Sequence, residues 1–143
     1  MTIVVDDHVL FDVLAGHAPP EVEAELQVSG LFTTSTWCYR LGRAIHGGGS
    51  AGSLFRRLQA LAPERRRLVA NELRRLPDEI GLLGPRVSVP VMIGLRVRRP
   101  LNLLNAEALA AAVVLDAALV VATDSPLLRG GADDLGVPYT LLS

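Results

Sequence analysis

The chain has 143 residues and a formal charge of -1, from 14 basic and 15 acidic side chains, with 50% hydrophobic and 20% charged residues. This length supports a buried core without metal or disulfide staples, and the composition excludes wholesale disorder and coiled coil. The near-neutral total hides a segregation: every basic residue is Arg, and eleven of them lie between Arg56 and Arg99 against four acids, an excess of +7, while residues 1–55 and 100–143 each carry -4.

In chain order, the β-branched run Thr2–Val5 predicts a buried strand ending in acid. Apolar residues at helical spacing predict a helix over Val9–Ala15, stopped by Gly16, and Pro20 opens a second helix through Val28. Leu31–Thr33 reads as a strand. Thr34 or Ser35 caps a helix that runs through Ile45 into the Gly47–Ser53 loop. Ser53–Leu61 and Pro63–Leu76 read as two amphipathic helices rich in Arg. Arg86–Val91 reads as a short or edge strand because of Pro90. Asn105 is expected to cap a strong helix, Ala106–Ala117, followed by a strand Leu119–Thr123, a helix Pro126–Leu135 and a strand Val137–Leu142. Apolar strands alternating with helices predict an α/β fold with a mainly parallel sheet covered on both faces, and no linker divides residues 1–143 into two domains.

Cys38 is the only cysteine, so no intrachain disulfide forms, and a free cysteine at such a place is usually a small buried hydrophobe. Met1–Asp7 lacks the positively charged start of a signal peptide, and the most apolar stretch, Ala106–Thr123, is broken by Glu107 and Asp116. A soluble cytoplasmic protein with no membrane partner is expected.

The segment Gly47–Gly52 matches three catalytic patterns at once. As G-x-G-x-x-G it would need a strand before it, and Tyr39–His46 reads as helix. As a nucleophile elbow around Ser50 it would need a later histidine, and His8, His17 and His46 all precede it. An oxyanion loop at His46–Gly49 cannot be fused to its own elbow. A plain inter-helix loop is the better reading. The three histidines and Cys38 match no zinc spacing.

Carboxylates at strand ends carry more. In a parallel sheet, ligands gather beyond the carboxyl ends of the strands. Asp6 ends the first strand, Asp124 ends the strand Leu119–Thr123, and Glu107 sits in the first turn of the intervening helix, with Asp7 and Asp116 as weaker candidates. If the two strands are neighbours, these acids converge, and a hard oxygen-liganded ion such as Mg2+ or Mn2+ would relieve their repulsion and activate water for phosphodiester cleavage. The plain alternative is helix capping: Asp6 or Asp7 for the helix near Val9, Glu107 as a complement to a helix dipole, Asp124 for the helix after Pro126.

Ile3-Val4-Val5-Asp6-Asp7-His8-Val9-Leu10 resembles the opening strand of PIN-domain proteins, Asn105–Ala112 resembles their later acidic helix start, and Leu119–Asp124 followed by Leu135-Gly136-Val137-Pro138 resembles their closing strand, acid, helix and strand. The resemblance runs end to end in order and is strongest at the two ends. It implies a three-layer α/β/α sandwich and a Mg2+- or Mn2+-dependent ribonuclease, with RNA as ligand, an antitoxin protein as partner in the toxin members, and a homodimer as assembly. It makes Asp6, Glu107 and Asp124 the catalytic and metal-site acids, with Thr123 or Ser125 as the accompanying hydroxyl. Three departures stand out: the helix Thr34–Ile45 has no acid where the family places Glu, Tyr39 or Arg40 standing there instead; Glu107 replaces the usual Asp; and His8 replaces a small polar residue. An Arg turned into the rim would pair with the carboxylates and make a metal less necessary.

Arg56, Arg57, Arg65, Arg66, Arg67, Arg74 and Arg75 fall on two adjacent predicted helices, where clustered guanidinium groups attract phosphates regardless of base sequence. A solvated helix face partly paired by Glu72 and Asp78 is the plain alternative. Two functional readings result: a PIN-like metal-dependent ribonuclease, or a catalytically degenerate PIN-like domain that binds RNA or a protein partner through its arginines.

Overall fold

The computed structural model describes residues 1–47 and 52–142. Within them, strands β1 (Ile3–Val5), β2 (Leu31–Thr33), β3 (Ile80–Leu82), β4 (Ala118–Val121) and β5 (Tyr139–Leu141) form one parallel sheet in the order β3-β2-β1-β4-β5. The helices are α1 (Asp7–Leu14), α2 (Pro20–Val28), α3 (Ser35–His46), α4 (Ser53–Gln59), α5 (Pro63–Arg74), α6 (Pro85–Arg98), α7 (Leu103–Leu115) and α8 (Pro126–Leu135). Residues 48–51 of the glycine loop lie outside the described residues; what precedes that loop is helix α3, so no strand feeds it.

The alternation of side chains along each strand divides the core in two. Ile3 and Val5 of β1 with Ala118 and Val120 of β4 pack against α1, α2, α4 and α5 through residues such as Leu10, Val22, Leu58 and Val69. Val4, Leu119 and Val121 face the other way, onto Leu95, Leu109 and Leu128 of α6, α7 and α8. Helix α3 reaches both clusters, with Leu41 in the first and Trp37 in the second. This is a three-layer α/β/α fold, and both buried faces explain why the strands read as continuous apolar runs.

Two expectations fail. The strand proposed at Arg86–Val91 is the start of α6, and the strand in that region is β3, earlier in the chain. Val87, Val89 and Val91 alternate like a strand, but Pro85 occupies the first helical turn, Ser88 and Leu95 turn inward one heptad apart, and Pro90 and Arg86 are exposed, so the freed Arg86 carbonyl meets water. β3 is only Ile-Gly-Leu. Its Gly81 pairs with Phe32, whose ring lies over it, and a Cβ there would overlap the ring. Asn105 is not a cap either. Helix α7 starts three residues earlier, and Asn102 accepts from the Asn105 amide at 2.8 Å.

No helix among the described residues is long and apolar enough to cross a membrane.

Candidate functional site

The parallel pairing of β1 with β4, Val5 opposite Val120, puts the residues that follow both strands at one edge. Asp6 begins there, buried at 3% exposure. Its Oδ1 accepts the Val9 amide at 2.9 Å and so caps α1, while Oδ2 accepts the Ala122 amide at 3.0 Å and the Thr123 amide at 3.4 Å. One carboxylate thus ties the start of α1 to the end of β4. Burial lifts its pKa above the ordinary value and the neighbouring Asp7 charge adds to this, while the three amides pull it back.

Asp7, equally buried, accepts its neighbour His8 amide at 3.0 Å through Oδ1. Its Oδ2 receives no hydrogen bond and faces the Arg40 Nε at 3.4 Å, an ion pair reaching across from α3. Of the two candidates for the place of the missing helix acid, Arg40 is therefore the one at the rim; Tyr39 is 68% exposed.

Asp124 closes the other side. It accepts Arg129 Nη2 at 2.7 Å and the Tyr139 hydroxyl at 3.0 Å, and Arg129 also stacks over the Tyr139 ring. Burial and then the Asp124 charge raise the Tyr139 pKa, which keeps the phenol a donor. Ser125, not Asp124, caps α8, accepting the Leu128 amide at 3.3 Å.

Asp6, Asp7 and Asp124 line one cleft of about 330 Å³, together with Arg40, Asn105 and Thr123. Glu107 does not line it. Asn105 does, and a residue two places further along a helix is rotated by about 200°, so Glu107 turns to α3. There it accepts the Ser35 hydroxyl at 2.5 Å and the Thr36 amide at 2.8 Å, completing the α3 N-terminus beside the Thr34 cap, whose Oγ accepts the Trp37 amide. Burial would raise the Glu107 pKa, but the Ser35 and Thr36 donors outweigh it and hold the carboxyl below its usual value. Asp116 sits at the opposite sheet edge, capping α7 in the left-handed region at φ 51°.

The divalent ion implied by the resemblance requires convergent oxygens with free lone pairs. Asp6 accepts three amides, Asp124 holds Arg129 and Tyr139 through Oδ1, Glu107 is spent on α3, and Arg40 brings a positive charge to the one rim oxygen, Asp7 Oδ2, that is buried without a hydrogen bond. No group of three or more His, Cys, Asp or Glu side chains among the described residues is placed to hold a metal.

The arginines of α4 and α5 divide. Arg57 pairs with Asp12, stacks over Phe11 and donates to His8, and Arg65 donates to the Ala15 carbonyl at 2.7 Å. Arg66 donates to Gln59. Arg56, Arg67, Arg74 and Arg75 are exposed and make no ion pair among the described residues. Sequence reasoning missed Arg129 and Tyr139 at the rim; the arginine five residues beyond Asp124, just over one helical turn into α8, was the available signal. Cys38 is partly buried, and burial raises its thiol pKa to about 11, which leaves it unreactive.

Compared with models of protein families and with curated protein sequences, the chain matches none.

Proposed function

We propose that this chain is a PIN-like RNA-binding domain in which Arg40 stands in for a divalent cation at the carboxylate rim. The observation that carries this reading is the Arg40–Asp7 ion pair, formed at the place where the resembled family has an acid. A fixed guanidinium lowers the mutual repulsion of Asp6 and Asp7 without a metal. The exposed Arg56, Arg67, Arg74 and Arg75 supply the attraction for phosphates.

A second reading, a Mg2+- or Mn2+-dependent ribonuclease of the toxin kind, is favoured by one observation: Asp6, Asp7 and Asp124 do share a cleft. Calorimetric titration with Mn2+ separates the two. Absence of binding at millimolar metal is expected. Binding in the micromolar range that disappears in both Asp6→Asn and Asp124→Asn would overturn the first reading in favour of the second.

A further inference from the structure

Helix α6 carries an apolar stripe that stays open to solvent. Val89, Ile93 and Val97 are four apart and so run along one side of the helix, and Ile93 and Val97 are 62% and 83% exposed. Leu103, at the start of α7, is 67% exposed. Between the two helices lies a groove of about 490 Å³, floored by the buried Leu101 and Ala106 and edged by these four side chains. Every residue lining it falls within Val89–Ala106. Neither the helix nor the core accounts for the stripe: β-branched residues are poor helix formers, and side chains left this exposed bury little.

The groove has a sign as well as a shape. Between Pro85 and Ala106 the charged residues are Arg86, Arg96, Arg98 and Arg99, with no acid among them. Arg86 stands two helical turns before Ile93 and so on its side of α6, and Arg96 lines the groove. Both are exposed. Arg86 makes no ion pair among the described residues, and Arg96 donates to the neutral Leu101 carbonyl, so both charges stay unmatched. The nearest acid on α7, Glu107, is turned to α3. These features select among occupants. A second copy packed face to face would bring the same arginines and no acid. A lipid surface takes a protruding apolar face, whereas the floor here is recessed between two helices. A helix with acidic residues beside its own apolar stripe matches both the recess and the charge.

We infer that the groove between α6 and α7 docks an amphipathic helix of a protein partner, with apolar residues at i, i+4 and i+7 seated in it and Asp or Glu opposite Arg86 and Arg96. Helices α6 and α7 pack on the other face of the sheet from α4 and α5, so this surface is separate from the arginines of the RNA reading and does not depend on it.

The test uses the full chain and fluorescein-labelled helical peptides of about 18 residues, five turns, followed by anisotropy. One peptide carries a Leu stripe at helical spacing flanked by Glu; the other carries the same stripe flanked by Lys. The Glu peptide should bind about tenfold more tightly than the Lys peptide at low salt, and the margin should narrow as salt rises. Arg86→Glu should abolish the margin, and Val97→Asp should weaken the Glu peptide about tenfold. Both positions are exposed, so both variants should melt with the parent, and Arg86→Glu leaves the apolar stripe intact. Equal affinity for the two peptides, or binding of neither, would overturn the proposal. Self-association in sedimentation that Val97→Asp abolishes, without binding of the Glu peptide, would overturn it in favour of a second copy. Cosedimentation with phosphatidylglycerol vesicles that Val97→Asp abolishes, again without peptide binding, would overturn it in favour of a lipid surface.

Discussion

The carboxylates at the edge of the sheet and the arginines of α4 and α5 are both dense charge clusters, yet they are built in opposite ways. Asp6, Asp7, Glu107 and Asp124 each have a protein partner: amides for Asp6, Arg40 for Asp7, the α3 N-terminus for Glu107, Arg129 and Tyr139 for Asp124. Arg56, Arg67, Arg74 and Arg75 have no charged partner among the described residues. Charge that is matched internally contributes to folding and has little left for a ligand; charge left in solvent contributes little to folding and remains available. The sites that look most catalytic in the sequence are thus the most structural, and the ordinary-looking basic helices are the freest.

The largest effect should come from Asp6. Asp6→Ala removes the α1 cap and leaves the partly buried amides of Ala122 and Thr123 at the β4 end without their acceptor, a loss of about 2 kcal/mol, or roughly 8 °C in melting temperature. Asp124→Ala, at a more exposed position on the same rim, should cost less than about 1 kcal/mol. Equal losses at both would break the division between buried tie and surface pair.

On the basic side, replacing Arg56, Arg67, Arg74 and Arg75 together by Ala should leave the melting temperature close to the parent. The same change should weaken single-stranded RNA binding about 100-fold at low salt and flatten the salt slope by about 3. Affinity that stayed the same would remove this surface from the RNA reading.

Within one helix, the contrast narrows to two neighbours. Arg57→Ala breaks the Asp12 pair and the Phe11 stacking, and should cost about 2 kcal/mol in chemical denaturation, whereas Arg56→Ala should stay within about 0.5 kcal/mol.

The smallest effect is in pH dependence. The folded Glu107 pKa is held low, so its share of stability is present above the unfolded pKa and is lost as pH falls through the folded value. The Asp6 pKa is raised, so its share is fullest below its unfolded pKa and is lost as pH rises through the folded one. Melting curves between pH 3 and 6 should therefore show Glu107→Gln losing less on acidification than the parent, and Asp6→Asn losing more. A Glu107→Gln profile parallel to the parent would show that the α3 contact carries no charge dependence.

Much of the fold is readable from local signals. α2 and α8 have their observed boundaries because Pro20 and Pro126 open them, and β2 lies between Gly30 and the Thr34 cap. β3 is not readable, because three residues with a central glycine carry no period, and only the Phe32 ring on the neighbouring strand makes Gly81 fit. α6 misleads for the converse reason: packing against α7 overrides the strand-like alternation of its valines.

The candidate site divides along the same line. Short-range chemistry dictates that Asp6 follows a buried strand and stands at a helix start, and parallel βα alternation brings Asp124 to the same edge. The partner of each carboxylate is a different matter. Ser35 and Glu107 are 72 residues apart, and Asp6 and Ala122 are 116 apart. Such pairings have no sequence period, since they depend on how far each helix is rotated about its axis and how two layers meet. Starting α7 at Leu103 turns Asn105 to the cleft and Glu107 to α3, and the lie of α3 across the sheet edge brings Arg40 to Asp7. Those rotations are set by the burial of Ala108, Leu109 and Trp37, and it is that packing which converts a row of acids into a set of structural ties.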